Sequence, residues 1–261
     1  MEVCVFASGS SGNCLLVSDG GTRVLIDAGI SLRRIEKALG SVGTSLSEID
    51  GVLITHEHSD HISGLEMLGK YWPVPILAPR TVAARILWRY PQLEERLRVI
   101  PVEEPFSLGE LEVLAFHSSH DTDESVGYRI QGSGVYAHLT DTGVVTEQML
   151  SCLRGADTVL LESNHDETML RFGPYPMQLK KRILSDRGHL SNAACARVAR
   201  LLAESGTRRI ILGHLSKENN TPAKAMAETG QTLLETETEL YCAPALGCLR
   251  IPVEPREVSL C

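Results

Sequence analysis

A short apolar run that stops abruptly on metal-ligand side chains is the feature that most constrains this chain. Residues 51–61 read GVLITHEHSDH, so His56, His58, Asp60 and His61 directly follow a β-branched, apolar segment. Such a segment is typical of a buried strand, and functional side chains are usually carried on the loop at a strand end. Imidazole and carboxylate groups are ligands of zinc, manganese and iron. The pattern therefore predicts a divalent metal site where a buried strand ends.

Several other motifs are excluded by spacing. His56-Glu57 does not begin a zincin HExxH helix, because the fifth position is Asp60. The segment DTDESVG has its glycine in the wrong position for an EF-hand loop, and Walker A, GxGxxG and GxSxG patterns are absent from the sequence. Packing alone does not explain the cluster at 56–61, because unsatisfied imidazoles at a strand end are costly to bury.

Composition places the chain among globular enzymes. It has 261 residues, 43% hydrophobic and 22% charged, and no apolar stretch long enough to predict a membrane-spanning helix. The N-terminus predicts a strand rather than a signal peptide, and seven scattered cysteines without CxxC pairs indicate a reducing cytoplasm. The net charge of −8 argues against binding of nucleic acid over a broad, positively charged surface. The basic runs KKR (180–182) and RR (208–209) are interpreted as solvated faces.

Strand and helix patterns alternate along the whole chain. The DGG sequence at 19–21 lies between two strand patterns and predicts a hairpin. A helix is predicted from Ser31 as N-cap to Gly40 as its C-terminal glycine. The alternation favours layered α/β packing, with a single domain over 1–261 and a polar tail at 252–261.

Later strand patterns also end in acidic or imidazole side chains, and in layered α/β folds such strand ends can converge on one edge. Those side chains are His117 and His120 after LEVLAF, Asp141 after VYAHLT, Glu162 and His165 around VLLES, and His214 after RIILG. The residues alone leave His117 and His120 as alternatives, since His117 continues the strand pattern. The site at 56–61 is therefore expected to recruit ligands from far along the chain.

The motifs resemble those of a known superfamily. HEHSDH at 56–61 resembles the HxHxDH signature of the metallo-β-lactamase superfamily, and His120, Asp141 and His214 follow in that superfamily's order. SGSSGNC, SHDTDESVGY, TDTG, ESNHD, GHLSN and LGHLSKENN further resemble the YycJ/WalJ group, described as 5′→3′ exonucleases connected with DNA repair. The resemblance covers nearly the whole chain and implies a four-layered αββα sandwich with a dimetal site on one edge.

The resemblance also implies a ligand set, carried over residue by residue. One metal would be held by His56, His58 and His120, and the second by Asp60, His61 and His214, with Asp141 bridging. Zinc, manganese and iron all suit these ligands. A bridging aspartate, where a true β-lactamase is expected to have cysteine, suits a symmetric two-metal site. Two such cations can share a hydroxide that attacks phosphorus, and Asp60 would orient it.

Residues outside this ligand set are assigned supporting roles. In the tRNA 3′-processing branch of the superfamily, a histidine and a glutamate act together near the leaving group, and the matching pair here is His189 and Glu162. Asp27 is expected to hydrogen bond the ligand loop. Each of the remaining candidates has two alternative roles. Ser10 and Asn13 would either contact the substrate or form a tight turn, and His165 would either line the pocket or support the ligands.

The leading interpretation is a cytoplasmic dimetal phosphodiesterase that degrades DNA 5′→3′ in repair. A small-molecule phosphodiesterase of the same fold, acting on cyclic or other nucleotides, is the alternative, and the acidic net charge favours it. A third possibility, a non-catalytic metal-binding regulator, is disfavoured by the complete ligand set. DNA strands or duplex ends are the expected partner, no membrane contact is expected, and the sequence gives no basis for inferring a stable protein partner. Fold-level analogy does not decide between the substrates.

Overall fold

Two seven-stranded sheets contain the strands of residues 1–254, which is the part of the chain that the computed structural model describes. The first sheet contains, in spatial order, Leu249–Pro252 (β14), Glu2–Ala7 (β1), Cys14–Asp19 (β2), Thr22–Ile26 (β3), Gly51–Leu53 (β4), Ile76–Ala78 (β5) and Leu97–Val99 (β6). The second contains Glu239–Cys242 (β13), Arg209–Gly213 (β12), Thr158–Glu162 (β11), Val135–Leu139 (β10), Val126–Gln131 (β9), Leu111–His117 (β8) and Pro105–Leu108 (β7).

Helices cover the outer face of each sheet. The helices of the described residues are Leu32–Ser41 (α1), Ser59–Ile62 (α2), Leu65–Tyr71 (α3), Arg80–Arg89 (α4), Glu147–Leu153 (α5), Glu167–Phe172 (α6), Met177–Ile183 (α7), Asn192–Glu204 (α8) and Pro222–Leu233 (α9). Apolar side chains of α1, α3 and α4 share a core with the first sheet, and those of α5, α8 and α9 share one with the second. None of the helices described is long and apolar enough to cross a membrane.

A third core lies between the sheets, and the period-2 alternation of the strands creates it. On β1, Val3 and Val5 contribute to the core between the sheets, whereas Cys4 and Phe6 contribute to the core shared with the helices. Because both faces of these strands are buried, their sequences read as continuous apolar runs. The predicted four-layered αββα sandwich is confirmed.

Strand direction places the candidate site. β3 and β4 are parallel in the first sheet, and β10, β11 and β12 are parallel in the second. β8 runs in the same direction as β10, because both pair antiparallel with β9. The candidate side chains follow the carboxyl ends of these strands, so each sheet presents its polar residues at one edge.

Two local predictions need correction, and a third is confirmed. The DGG hairpin is confirmed, with Gly20 in the left-handed region at φ 54°. The prediction for α1 is wrong at its end: the helix continues through Gly40 to Ser41, and Gly43, at φ 78°, supplies the left-handed turn. The polar tail cannot begin at 252, because β14 ends there and Val253 is fully buried. Residues 255–261 lie outside the described part of the chain.

A buried tyrosine supports the strand that leads into the ligand loop. Tyr128 is fully buried, and its hydroxyl donates to the Ile54 carbonyl at 2.6 Å. Tyr128→Phe removes the donor from a buried carbonyl, and we expect the free energy of unfolding to fall by about 1–3 kcal/mol in urea denaturation. Tyr71→Phe is the control, because Tyr71 is 58% exposed. Equal stability of the two variants would contradict this role for Tyr128.

Candidate metal centre

Asp27, at the end of β3, organises the loop that follows β4. Its carboxylate accepts hydrogen bonds from the Thr55 backbone N–H at 2.9 Å and from the Thr55 hydroxyl at 3.1 Å. The same carboxylate lies 2.7 Å from Nδ1 of His61. A carboxylate on one ring nitrogen fixes the orientation of an imidazole and leaves the other nitrogen for a metal. Asp27 therefore lies where the expected supporting role requires it.

Three imidazole nitrogens meet at the first group of candidate ligands. Nδ1 of His58 lies 3.0 Å from Nε2 of His56 and 3.3 Å from Nε2 of His120. Burial lowers the pKa of both His56 and His120, which favours the neutral imidazole that a metal needs. His117, the alternative to His120, ends β8 with an exposed side chain. The structure thus brings His120 into the group and leaves His117 outside it.

The second group joins a carboxylate and two imidazoles. Oδ2 of Asp60 lies 3.5 Å from Nε2 of His214 and 3.6 Å from Nε2 of His61. His61 and His214 are both buried, and their ring centroids are 5.7 Å apart. The residues at 56–61 are thus divided between two groups, and each group is completed by a histidine from the second sheet.

Asp141 spans the two groups. Its Oδ1 lies 3.7 Å from Nε2 of His120 and 3.5 Å from Nε2 of His214, while Oδ2 lies 3.3 Å from Nε2 of His61. Although burial raises the pKa of this carboxyl, the imidazoles of His214 and His61 hold it well below its usual range. Asp141 is therefore ionised and placed to contact both groups.

The chemistry of the donors fits a divalent cation. Within residues 1–254, Oδ2 of Asp141 and Nε2 of His214 are buried and have no hydrogen-bond partner. Leaving such atoms unsatisfied in a protein interior is costly, and a cation between them would satisfy both. Imidazole nitrogens and carboxylate oxygens, without thiolates, suit zinc, manganese or iron.

Backbone strain is concentrated at these residues. Among residues 1–254, four non-glycine residues have positive φ, and three of them are Asp27 (59°), Asp141 (54°) and His214 (56°). Each directly or closely follows a strand end. Conformations of this kind cost free energy and persist where surrounding contacts fix them, often at functional sites. The sharp turns direct these side chains into the cluster instead of along their strands.

Three polar residues that the sequence analysis missed fix His214 and the ligand loop. The hydroxyl of Ser8 accepts from the His214 backbone N–H at 2.8 Å, and the Asn164 amide donates to the His214 carbonyl at 2.9 Å. The Thr55 hydroxyl, between Asp27 and two ligand imidazoles, lies 3.1 Å from Nδ1 of His56. Ser8 and Asn164 lie in the recognised motifs SGSSGNC and ESNHD, which was the available signal.

Glu162 is a fully buried carboxylate with four partners. Its Oε2 accepts from the backbone N–H groups of Thr142 and Leu190, at 2.9 and 3.2 Å. Its Oε1 lies 2.7 Å from Nδ1 of His189 and 3.1 Å from Nδ1 of His214. Burial raises the pKa of Glu162, but His189 and the hydrogen bonds lower it to about 2. Glu162 therefore orients His214 as well as its predicted partner, a role that the sequence analysis did not assign.

His189 is more exposed than its neighbour His214. Its side chain is 22% exposed, whereas that of His214 is 2% exposed. Its ring stacks on the His214 ring at a centroid distance of 5.4 Å. Although burial lowers the pKa of His189, the Glu162 carboxylate raises it. Because Nδ1 faces Glu162, Nε2 is the ring nitrogen left for another partner.

The remaining candidates lie in different positions. Asn13 is buried, with Nδ2 3.0 Å from Nε2 of His61 and Oδ1 accepting from the Gly9 backbone N–H. Ser10 is exposed on the neighbouring turn. His165 is buried, burial lowers its pKa to about 4, and neither ring nitrogen has a partner within residues 1–254. Only Asn13 of these three contacts a ligand candidate directly.

Two arginines hold the His120 loop against the chain that leads to His189. Arg187 donates to the carbonyls of His120 at 2.8 Å and Thr122 at 2.6 Å. Arg182 pairs with Asp121, whose other oxygen lies 3.4 Å from Nε2 of His120. These contacts connect the first group of ligands to the segment between α7 and α8.

The family is shown by comparison with known proteins. The family model described as Beta-lactamase superfamily domain matches residues 22–215. This chain belongs to that superfamily. It is 36% identical over 244 residues to exodeoxyribonuclease YycJ of Bacillus anthracis, with 90% of each chain covered. It is 35% identical over 225 residues to exodeoxyribonuclease WalJ of Streptococcus pneumoniae, with 83% of this chain and 82% of the relative covered.

A solved structure supports the fold. Zinc-bound PqqB from Methylobacterium extorquens superposes with a TM-score of 0.73, at 18% identity, over 95% of this chain and 99% of that chain. The predicted membership of the superfamily and its YycJ/WalJ group is confirmed. The chain is a metal-dependent hydrolase, and its fold implies that it binds divalent metal.

Proposed function

We propose that this protein is a dimetal phosphodiesterase that degrades DNA from the 5′ end and acts in repair. The observation that carries the proposal is the position of Asp141 between two groups of candidate ligands, within 3.7 Å of Nε2 of His120 and 3.5 Å of Nε2 of His214. A shared carboxylate is the arrangement that a two-metal site for phosphoester hydrolysis needs. The printed names of the YycJ and WalJ relatives support DNA as the substrate.

The proposed ligand sets follow the two groups. His56, His58 and His120 would hold one ion, Asp60, His61 and His214 the other, and Asp141 both. Zinc or manganese is the proposed metal, with iron as a further candidate. When bound, such ions lower the pKa of water and stabilise charge on phosphoryl oxygens. Asp60 has the further proposed role of orienting the attacking water.

His189 is the proposed general acid. Its Nδ1 lies 2.7 Å from Oε1 of the fully buried Glu162, so the carboxylate fixes the ring and stabilises its protonated form. Nε2 would then give a proton to the departing sugar oxygen, which is a poor leaving group as an alkoxide. Glu162 acts through His189, and we assign it a positioning role.

The free thiols are consistent with a cytoplasmic location, which we also propose. The cysteines at 4, 14, 152, 195, 242 and 248 are all free. Free thiols of this kind suit a reducing compartment.

DNA labelled at either end tests the proposed activity. Metal-replete protein is incubated with 5′-labelled strands, with 3′-labelled strands and with bis(4-nitrophenyl) phosphate. We expect the 5′ label to appear first in short products, and we expect Asp60→Ala to abolish hydrolysis of every substrate. Release of the 3′ label first would contradict the proposed polarity.

The small ester separates the leading proposal from its alternative. Rapid hydrolysis of bis(4-nitrophenyl) phosphate, with the DNA left uncleaved, would support a small-molecule phosphodiesterase. The net charge of −8 also favours that alternative. Full activity of Asp60→Ala would contradict the two-metal site itself.

A further inference from the structure

A basic segment with exposed apolar side chains lies beside the metal centre. We call residues 171–187 the basic rim. The protein has a net charge of −8, yet the rim contains one acidic residue against five basic ones: Arg171, Lys180, Lys181, Arg182 and Arg187. Large apolar side chains are exposed there too, with Phe172 80% exposed, Met177 66% and Leu184 54%. Positive charge and exposed apolar area are thus concentrated in 17 consecutive residues of an acidic protein.

The basic rim is fixed to the metal centre by direct contacts. Arg182 on α7 pairs with Asp121, and Oδ1 of Asp121 lies 3.4 Å from Nε2 of His120. After α7, the Ser119 hydroxyl donates to the Asp186 carbonyl at 2.7 Å. A ligand that lies on α7 would therefore be next to the first group of metal ligands.

A separate pair of hydrogen bonds, made by Lys180, fixes the backbone on either side of Phe172. Nζ of Lys180 donates to the carbonyls of Arg171 and Gly173, at 2.8 and 2.7 Å, which are the two neighbours of Phe172. The end of α6 is thereby joined to α7, where Lys181 and Arg182 are exposed. Because the Lys180 ammonium is hydrogen bonded to these two carbonyls, Lys181 and Arg182 are the cations of α7 that face solvent.

We propose that the basic rim binds the single-stranded end of a DNA substrate and guides it to the metal centre. Lys181 and Arg182 would contact backbone phosphates, and Phe172 would stack on a base. This inference rests on the proposed function. Cationic side chains combined with an exposed aromatic ring are the recurring means of binding single strands without sequence preference. The acidic remainder of the surface repels the strand and confines it to this segment.

This proposal changes the interpretation of the KKR run at 180–182. The sequence alone predicts a solvated helix face for this run. In the structure, Lys180 donates to the carbonyls on either side of Phe172, whose side chain is 80% exposed, and Arg182 pairs with Asp121 beside the His120 loop. A purely solvated face does not need large exposed apolar side chains, yet Phe172, Met177 and Leu184 are all exposed within this segment.

The test measures binding and small-substrate turnover separately. Metal-loaded protein is titrated into fluorescent phosphorothioate oligothymidylate, which is cleaved slowly, and anisotropy is followed at several salt concentrations. Phe172→Ala is expected to weaken binding by about 5- to 150-fold, the range for loss of one stacked base. Lys181→Ala is expected to reduce the slope of log K against log salt by about 0.7, the value for one single-strand phosphate contact.

Matched controls lie on helices that contact the first sheet. Trp88→Ala removes an aromatic side chain of α4 that is 84% exposed, and Lys37→Ala removes an exposed lysine of α1. Both should bind the oligonucleotide like the unmodified protein. All four variants should keep the kcat and KM of the unmodified protein for bis(4-nitrophenyl) phosphate, because none of these residues is in the proposed catalytic machinery.

Other results would overturn the proposal in distinguishable ways. If Phe172→Ala and Lys181→Ala bind and shorten DNA like the unmodified protein, the basic rim is not the binding surface, although the proposed function stands. If the unmodified protein neither binds nor shortens DNA, the proposed function itself fails. Binding of phosphatidylglycerol vesicles through the rim, with no binding of DNA, would assign the rim to an anionic lipid surface instead.

Discussion

Asp141→Asn is expected to remove at least one of the two proposed metal ions and to lower turnover by about 10³-fold or more. Asparagine keeps the shape of the side chain and tolerates the positive φ of 54°, so the fold should persist. The substitution removes the charge between the two groups, and metal-ion catalysis supplies several kcal/mol of transition-state stabilisation, with each 1.36 kcal/mol worth tenfold in rate. Metal content by plasma mass spectrometry and hydrolysis of bis(4-nitrophenyl) phosphate measure the two effects.

Asp123→Asn provides the control for Asp141→Asn. Asp123 carries the same carboxylate but is 54% exposed and pairs with Arg85 at the surface. We expect normal metal content and normal turnover for this variant. A fully metallated Asp141→Asn protein with unchanged turnover would remove Asp141 from the site.

His189→Ala is expected to keep its metal and lose turnover by about 10²- to 10⁴-fold, the contribution typical of a general acid. We expect turnover to fall without loss of metal because Nδ1 of His189 contacts Glu162, while His214 has its own contact with Glu162 at 3.1 Å. The loss should be largest for substrates with alkoxide leaving groups. It should be smaller for bis(4-nitrophenyl) phosphate, because nitrophenolate departs without protonation.

Two further variants distinguish a general acid from a metal ligand at His189. His117→Ala removes an exposed imidazole at the end of β8 and should leave both metal and turnover unchanged. Glu162→Gln should affect both His189 and His214, so its metal affinity should fall by about 10- to 100-fold, as for other outer-sphere partners. If His189→Ala lost metal to the same extent, His189 would be a ligand and our assignment would be wrong.

Much of the candidate site is predictable because its candidate ligands follow apolar strands. A buried parallel strand is a continuous apolar run, and the first polar residue after it lies at the sheet edge. His214, directly after RIILG, shows this, Asp141 follows VYAHL by two residues, and the HEHSDH cluster gives the same signal more strongly. Which of His117 and His120 enters the site could not be read from the strand itself, and the resemblance favoured His120.

The features that the sequence did not reveal depend on long-range contacts. β5 and β7 were not predicted, because ILA and PFSL are only three and four residues long and exist through pairing with neighbouring strands. Ser8 contacts His214 across 206 positions of sequence, which no local pattern encodes. The end of α1 was misplaced because the sequence alone does not distinguish Gly40 from Gly43 as the glycine that ends the helix. Of the two, only Gly43 has a left-handed φ.

The division of the candidate ligands between the two sheets would make metal binding depend on the packing of one sheet against the other. Each of the two proposed groups combines residues from 56–61 with a histidine from the second sheet, so neither of these two groups is complete within one sheet. During synthesis, the group of His56, His58 and His120 can form once His120 has left the ribosome and its sheet packs on the first, whereas Asp60 and His61 have no complete group until His214 follows. Metal uptake by nascent chains is therefore a measure of sheet association, and fragments that end before 214 should lack the second group.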